Sequence, residues 1–352
     1  MSAITAHVVR RSIELGSDLS DKTPGQVDEL HPPGALVALA IFSFLILALV
    51  TAAIDYTYGN VVATLAAVED SNPDIYPTRS LLRILPLKPV TSSLRATIRH
   101  LRARAGFWSR FRGLSMYLTM GIVRGVLASL IVPVGSFLGQ FVVQSLISIL
   151  FSTWQMTWVH IVITEPSPKR FYQRLPKTTK TWFKIAPAAA LVDIASAAAV
   201  FLPMELAGAL SSFPDAVNDM PGLFRFAATA ALPALVAVLI TVPAQVVFVR
   251  VAASMLPEED ETIVPFDRSF GGKVNPEIVG GSGKIGLVDA WTTFDWPARV
   301  RLAKVIGKTF AMQLAVGVVG FLVLGIQIYF MVSKSSKTQP PASAPTSPPT
   351  SA

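Results

Sequence analysis

From Ala35 to Ala53 the chain reads ALVALAIFSFLILALVTAA, without a single charged side chain. A helix rises about 1.5 Å per residue and the hydrocarbon core of a bilayer is about 30 Å thick, so about 20 such residues make one crossing. Blocks of the same kind recur. The stretch from Leu114 to Ile163 contains no Asp, Glu or Lys. It is too long for one span and holds Pro133, Gly135 and Ser136 near its centre, which predicts a hairpin of two spans. The pattern predicts an all-α polytopic transmembrane helical bundle with six spans, at about 35–55, 114–133, 138–163, 185–210, 223–253 and 310–332. Residues 1–34 lack a signal-peptide core and read as a disordered external or lumenal tail. The Pro, Ser and Thr rich residues 333–352 read as a disordered tail on the same side.

Charge fixes the expected orientation. The chain carries 30 Lys plus Arg against 22 Asp plus Glu, and only 15% of its residues are charged, where a soluble domain has about 25%. Nine of the bases lie in the 56–113 connection, six in 164–184 and eight between Arg250 and Lys308, while the two tails hold three and two. The positive-inside rule places the connections 56–113, 164–184 and 254–309 in the cytosol. It also gives the excess of base a membrane rather than a nucleic-acid partner. Acids at Glu14, Asp18 and Asp21 argue against a mitochondrial presequence, so an endomembrane address, ER or vacuole, is favoured over mitochondrion or plasma membrane.

Two cytosolic segments are expected to lie on the membrane surface as amphipathic helices. In Ser92 to Arg112, Leu94, Ile98, Leu101, Ala105 and Trp108 form one stripe with arginines beside it. Arg95, Arg99, Arg102, Arg104, Arg110 and Arg112 are the candidate contacts for anionic lipid headgroups. Before the last span, Asp295 is placed to cap a helix whose first turn holds Trp296 and Pro297. There Leu302, Ile306 and Phe310 share a face, and Arg299, Arg301, Lys304 and Lys308 point elsewhere.

Charge within a span is costly, which makes Arg124, Asp193 and Glu205 candidates for an intramembrane polar path, with His160 at the cytosolic end of the third span. The competing reading is a structural pair of Arg124 with Asp193 or Glu205. Pro187, Pro203, Pro233 and Pro243 interrupt spans four and five, as in helices that expose backbone groups to a substrate. They also occur in kinked helices that merely pack.

Other signals lead away from catalysis. The run Gly281-Ser282-Gly283-Lys284-Ile285-Gly286 matches G-x-G-x-x-G, but it follows Pro276 in a long loop and so reads as loop rather than as a phosphate cradle. The acidic run Glu258 to Glu261 lacks the ligand spacing of a calcium loop. The four histidines make no metal pair, and the absence of cysteine removes thiolate nucleophiles and thiolate-held metals. No catalytic, cofactor or metal residues are assigned, and the chain is read as non-enzymatic.

The phrases Trp158-Val159-His160-Ile161-Val162-Ile163 with Pro166-Ser167, and Ala253-Ser254-Met255-Leu256-Pro257-Glu258 with Ile263-Val264-Pro265-Phe266-Asp267-Arg268-Ser269-Phe270-Gly271-Gly272, resemble a family of multi-pass membrane proteins of filamentous fungi. That family is often labelled ubiquitin carrier or ubiquitin-conjugating protein. The resemblance implies architecture from span two to span six and no catalytic residues. Ubiquitin conjugation needs a thiolate to hold the thioester, and this chain has none. The expected function is a membrane protein that organises membrane or partners through its basic helices and cytosolic loop. The alternative is a secondary transporter or channel with a polar path near spans four and five.

Overall fold

The computed structural model describes residues 34–71, 89–131, 137–176, 178–211, 232–275 and 280–335. The tail expectations for residues 1–33 and 336–352, Pro133 at the hairpin and the 223–231 part of span five lie outside these residues. Among the described residues the chain is helical, and its only extended pairing is an isolated antiparallel bridge between Thr164 and Thr262.

The longer helices are α1 (Gly34–Val68), α2 (Leu94–Ala105), α3 (Leu114–Ile131), α4 (Phe137–Leu150), α5 (Ser152–Ile163), α6 (Thr179–Ser211), α7 (Leu232–Ser254) and α9 (Trp296–Ser335); a short α8 spans Leu287–Thr292. Five segments are long and apolar enough to cross a membrane: Gly34–Val68, Phe107–Leu130, Thr179–Leu202, Leu235–Ser254 and Trp296–Ser333. A sixth crossing is available if the bent pair α4 and α5 counts as one span; the bend is 58°. At that bend the Ile149 carbonyl accepts from Trp182 Nε1 at 3.0 Å, which gives that carbonyl a partner from α6.

The described chain divides into two compact units. The first comprises 34–51 and 314–335. Here Gln327 donates to Ser43 Oγ at 2.8 Å, and Leu47 lies so close to Gly320 that a Cβ there would sit 3.1 Å from Leu47 Cδ1. A small residue thus lets the two helices approach. Nearly every large apolar side chain of this unit faces outward, Phe321 being 78% exposed.

The second unit, 52–313, has a buried core at one end of its helices. In α7, Ala244 and Val246–Ala253 are buried while Leu235 and Leu239 are exposed. In α6, Ile185, Ala188 and Ala189 are buried while Val200 and Leu202 are exposed. The same core takes in Val61 to Val68, α5, Ile263, Val264, Phe294, Leu302 and Val305.

Three sequence expectations change. Residues 56–68, read as the start of a connection, continue α1, since Val61 to Val68 offers apolar surface that the core buries and contains no breaker. The segment 92–112 is one helix only as far as Ala105. Ser93 Oγ caps it by accepting from Ala96 N at 3.2 Å, and Gly106 at φ +80° ends it, so Trp108 leaves the apolar stripe and is 71% exposed. In α9, Asp295 does cap the helix, its Oδ1 accepting from Ala298 N at 3.3 Å. The buried face there is Ala298, Arg301, Leu302, Val305 and Thr309, with Phe310 exposed. Arg301 therefore points inward, because Nη2 donates to the Glu69 carbonyl at 2.6 Å and Nη1 to Ser71 Oγ at 3.2 Å.

The glycine-rich phrase is a loop whose glycines have backbone reasons. Gly280 and Gly283 take φ +79° and +65°, and a Cβ on Gly281 would meet the Asn275 carbonyl oxygen at 2.2 Å. Lys284 Nζ donates to the Lys184 carbonyl at 2.7 Å. Burial, and then the charge of Lys184, hold its ammonium below the usual lysine range.

Candidate functional site

A cavity of about 610 Å³ opens among α1, α3, α4, α5, α6, α7 and α9 within the second unit. Its walls are largely apolar, but each helix contributes polar groups. They are Asp55 and Asn60 from α1, Tyr117 and Arg124 from α3, Ser148 from α4, Gln155 from α5, Asp193 and Ser196 from α6, Thr241 and Gln245 from α7, and Thr309 and Gln313 from α9.

Local backbone chemistry sets the α1 wall. Residues Asp55–Val62 wind as a π-helix, a geometry that brings residues five apart together and is frequent at functional positions. Asn60 Nδ2 donates to Asp55 Oδ2 at 3.2 Å and to the Asp55 carbonyl at 3.3 Å. Gly59 leaves room for that carboxylate, because a Cβ there would lie 3.0 Å from Asp55 Oδ1. From α9, Gln313 Nε2 donates to Asp55 Oδ1 at 3.3 Å. Both partners are neutral amides, so they hold the carboxylate in place without cancelling its charge.

Across the cavity, Gln155 Nε2 donates to Ser148 Oγ at 3.1 Å, and Ser148 in turn bonds the Asp193 carboxyl. Asp193 Oδ2 is buried with no hydrogen-bond partner among the described residues. Arg124 lies within electrostatic reach of Asp193 and Tyr117, and Tyr117 within reach of Asp55 and Arg124. Among the described residues Arg124 makes no hydrogen bond and no ion pair, and it lines the same cavity as Asp193. The site thus brings two acidic side chains and one guanidinium to one space.

The other two candidate path residues are not brought here. His160 is buried in the core, its Nε2 2.7 Å from the Ala252 carbonyl, where it ties α5 to α7. Glu205 falls in α6 twelve residues beyond Asp193, and its side chain lies outside the described residues. Asp55, Tyr117, Gln155, Gln245 and Gln313 are cavity residues that the sequence reading missed. The available signal was a scatter of single polar residues inside apolar runs, and for Asp55 its place directly after the charge-free block.

The arginines of 92–112 divide. Arg95, Arg99 and Arg102 are exposed on one side of α2, beside exposed Phe107 and Trp108. Arg104 pairs with Glu165 at 2.5 Å, and Arg110 stacks on Phe107 and Phe111. Arg112 turns inward and donates to the Ile161 carbonyl at 2.9 Å and to the Thr164 carbonyl. Its own carbonyl accepts from Tyr56 OH, which itself accepts from Trp158 Nε1 at 3.2 Å.

A second cavity of about 350 Å³ is lined by Glu69, Asp70, Arg250, Asp267, Phe270 and Asp295, among others. Arg250 spans it, donating to the Ala67 carbonyl at 3.2 Å and Thr293 Oγ1 at 2.9 Å, with Phe270 and Phe294 stacked on its guanidinium. Burial pushes the Asp267 carboxyl up, but N–H of Gly271 and the hydroxyl and N–H of Ser269 outweigh it, holding the group below the usual carboxylate range. These acids are engaged in turns, caps and bonds of the fold. No protein-family model, curated protein or solved structure matches the chain.

Proposed function

We propose that the chain is a polytopic integral membrane protein that binds a polar solute in its larger cavity and passes it across the bilayer, without covalent chemistry. The observation that carries this is the gathering of Asp55, Arg124 and Asp193 around one space from three apolar helices. Charged groups in such segments are expensive, and a cavity of this size suits a small solute. The Arg124 guanidinium makes no hydrogen bond or ion pair among the described residues, which a packed structural pair would be expected to make. The proposal includes six crossings with α4 and α5 as one bent span, the basic connections on the cytosolic side, an endomembrane address, and membership of the fungal family that the 158–167 and 253–272 phrases resemble.

The test uses the cysteine-free background. Asn60→Cys, Ser196→Cys and Thr241→Cys variants in native membranes are exposed to a membrane-impermeant thiol reagent, with Phe321→Cys as a lipid-facing control. Reaction of the first three but not the control is expected, from one side of the membrane. Reaction only with a lipid-soluble reagent would remove the proposal.

A membrane-organising role keeps a separate observation in its favour: Arg95, Arg99 and Arg102 are exposed beside Phe107 and Trp108, a combination suited to an anionic headgroup layer. A polarity-sensitive dye on Trp108→Cys should report a more apolar setting in vesicles with phosphatidylserine than in phosphatidylcholine alone. No difference between the two vesicles counts against that role.

A further inference from the structure

The charges of the larger cavity come from three helices: Asp55 from α1, Arg124 from α3 and Asp193 from α6. The cavity thus holds two acids and one base. Among the described residues each has unused capacity: exposed Asp55 accepts from the amides of Asn60 and Gln313, Arg124 makes no hydrogen bond, and Asp193 Oδ2 is buried without a partner. Two acidic side chains against one base call for a positively charged occupant. The guanidinium, with no hydrogen bond among the described residues, calls for an anionic group on the same molecule, since a planar fork recognises a carboxylate through two parallel bonds.

We infer that the solute is a basic amino acid, whose carboxylate meets Arg124, whose α-ammonium meets Asp193 and whose side-chain cation meets Asp55. This rests on the cavity being a solute site, and it adds which solute. A diamine would satisfy both acids and leave Arg124 unmet. A neutral amino acid would leave Asp55 unmet, and an acidic one would oppose it.

The experiment measures equilibrium binding of radiolabelled L-arginine to the full chain in nanodiscs, with L-lysine, L-alanine, L-glutamate and cadaverine as competitors. Lysine should compete best, alanine and cadaverine about tenfold or more less well, and glutamate least; loss of one charge-assisted contact corresponds to about that factor. Three variants separate the contacts. Arg124→Gln should weaken arginine while sparing cadaverine, Asp55→Asn should remove the preference for lysine over alanine, and Asp193→Asn should weaken both amino acids. Preference ratios within one variant do not depend on how much of it folds. Competition by glutamate equal to that by lysine overturns the inference. So does tighter arginine binding by Arg124→Gln. If none of these compounds binds while Asn60→Cys and Ser196→Cys still react with the aqueous reagent, the solute class is wrong and the cavity reading stands. If those cysteines are closed to water, both readings fall.

Discussion

Glu69 is the position where a single substitution should cost the most. Its side chain is fully buried, just beyond the apolar part of α1, and it accepts from Val90 N at 2.5 Å, Thr91 N at 2.9 Å and the Thr91 hydroxyl. Arg301 Nε lies 3.9 Å away, with the arginine only 7% exposed. One carboxylate thus fastens three groups, α1, the 90–91 turn and α9, within the second unit. Glu69→Ala strands three donors and leaves the guanidinium without its counter-charge. Removing one partner of a buried pair costs about 3–5 kcal/mol, and each orphaned donor adds up to about 1–3 kcal/mol where water cannot reach it. Taking about 4 kcal/mol as the central figure, the loss is roughly a quarter or more of the stability of an ordinary domain.

The assay is the fraction of detergent-solubilised protein that stays monodisperse after heating. Glu69→Ala should lower the midpoint by roughly 10 °C or more. Glu69→Gln keeps one acceptor oxygen and should fall between that variant and the parent. Arg301→Met in the Glu69→Gln background should cost less than the two single changes added together, because the second change removes a charge the first has already stranded. A Glu69→Ala protein that melts within about 1 °C of the parent would show that water satisfies these groups, and the argument from burial would be wrong.

Other expectations rest on single contacts. Gly113 sits at φ +70° with Trp158 Cδ1 3.0 Å from where a Cβ would be, so Gly113→Ala should destabilise by about 1–2 kcal/mol or more in the same assay. Gly59→Ala should leave the melting midpoint unchanged or raised, since alanine favours helix by about 0.5–1 kcal/mol. It should nevertheless alter the thiol-labelling rate of Asn60→Cys, because the new Cβ displaces the Asp55 carboxylate. An unaltered rate counts against the packing drawn for Asp55. Because the Asp267 carboxyl is held below its unfolded value of about 3.9, its contribution to stability is present above that pH and is lost as pH falls through the lower, folded value. Amide exchange at Ser269 and Gly271 should therefore quicken at the acid end in the parent, and be fast at every pH in Asp267→Ala.

The sequence made the apolar helices legible because uniform apolarity over the length a bilayer crossing would need is recognisable without tertiary detail. The same uniformity hid the rest. In α7 the residues that enter the core, such as Val247 and Ala252, do not differ in kind from Leu239, which stays outside, so no periodicity marks the inner face. Basic residues were legible as a sum and misleading one by one. Arg112, Arg250 and Arg301 count toward the basic excess from which a cytosolic side is expected, yet each spends its guanidinium on carbonyls of the core. Arg124 and Asp193 stood out because a charge inside an apolar run is anomalous wherever it falls. Asp55 did not, since it borders such a run and resembles an ordinary helix end. Only the continuation of α1 through a π-turn, with Gln313 meeting it from a helix 258 residues away in sequence, turns that boundary residue toward the cavity. What a chain of this composition conceals is therefore how its few polar residues converge, since that depends on long-range contacts that leave no local pattern.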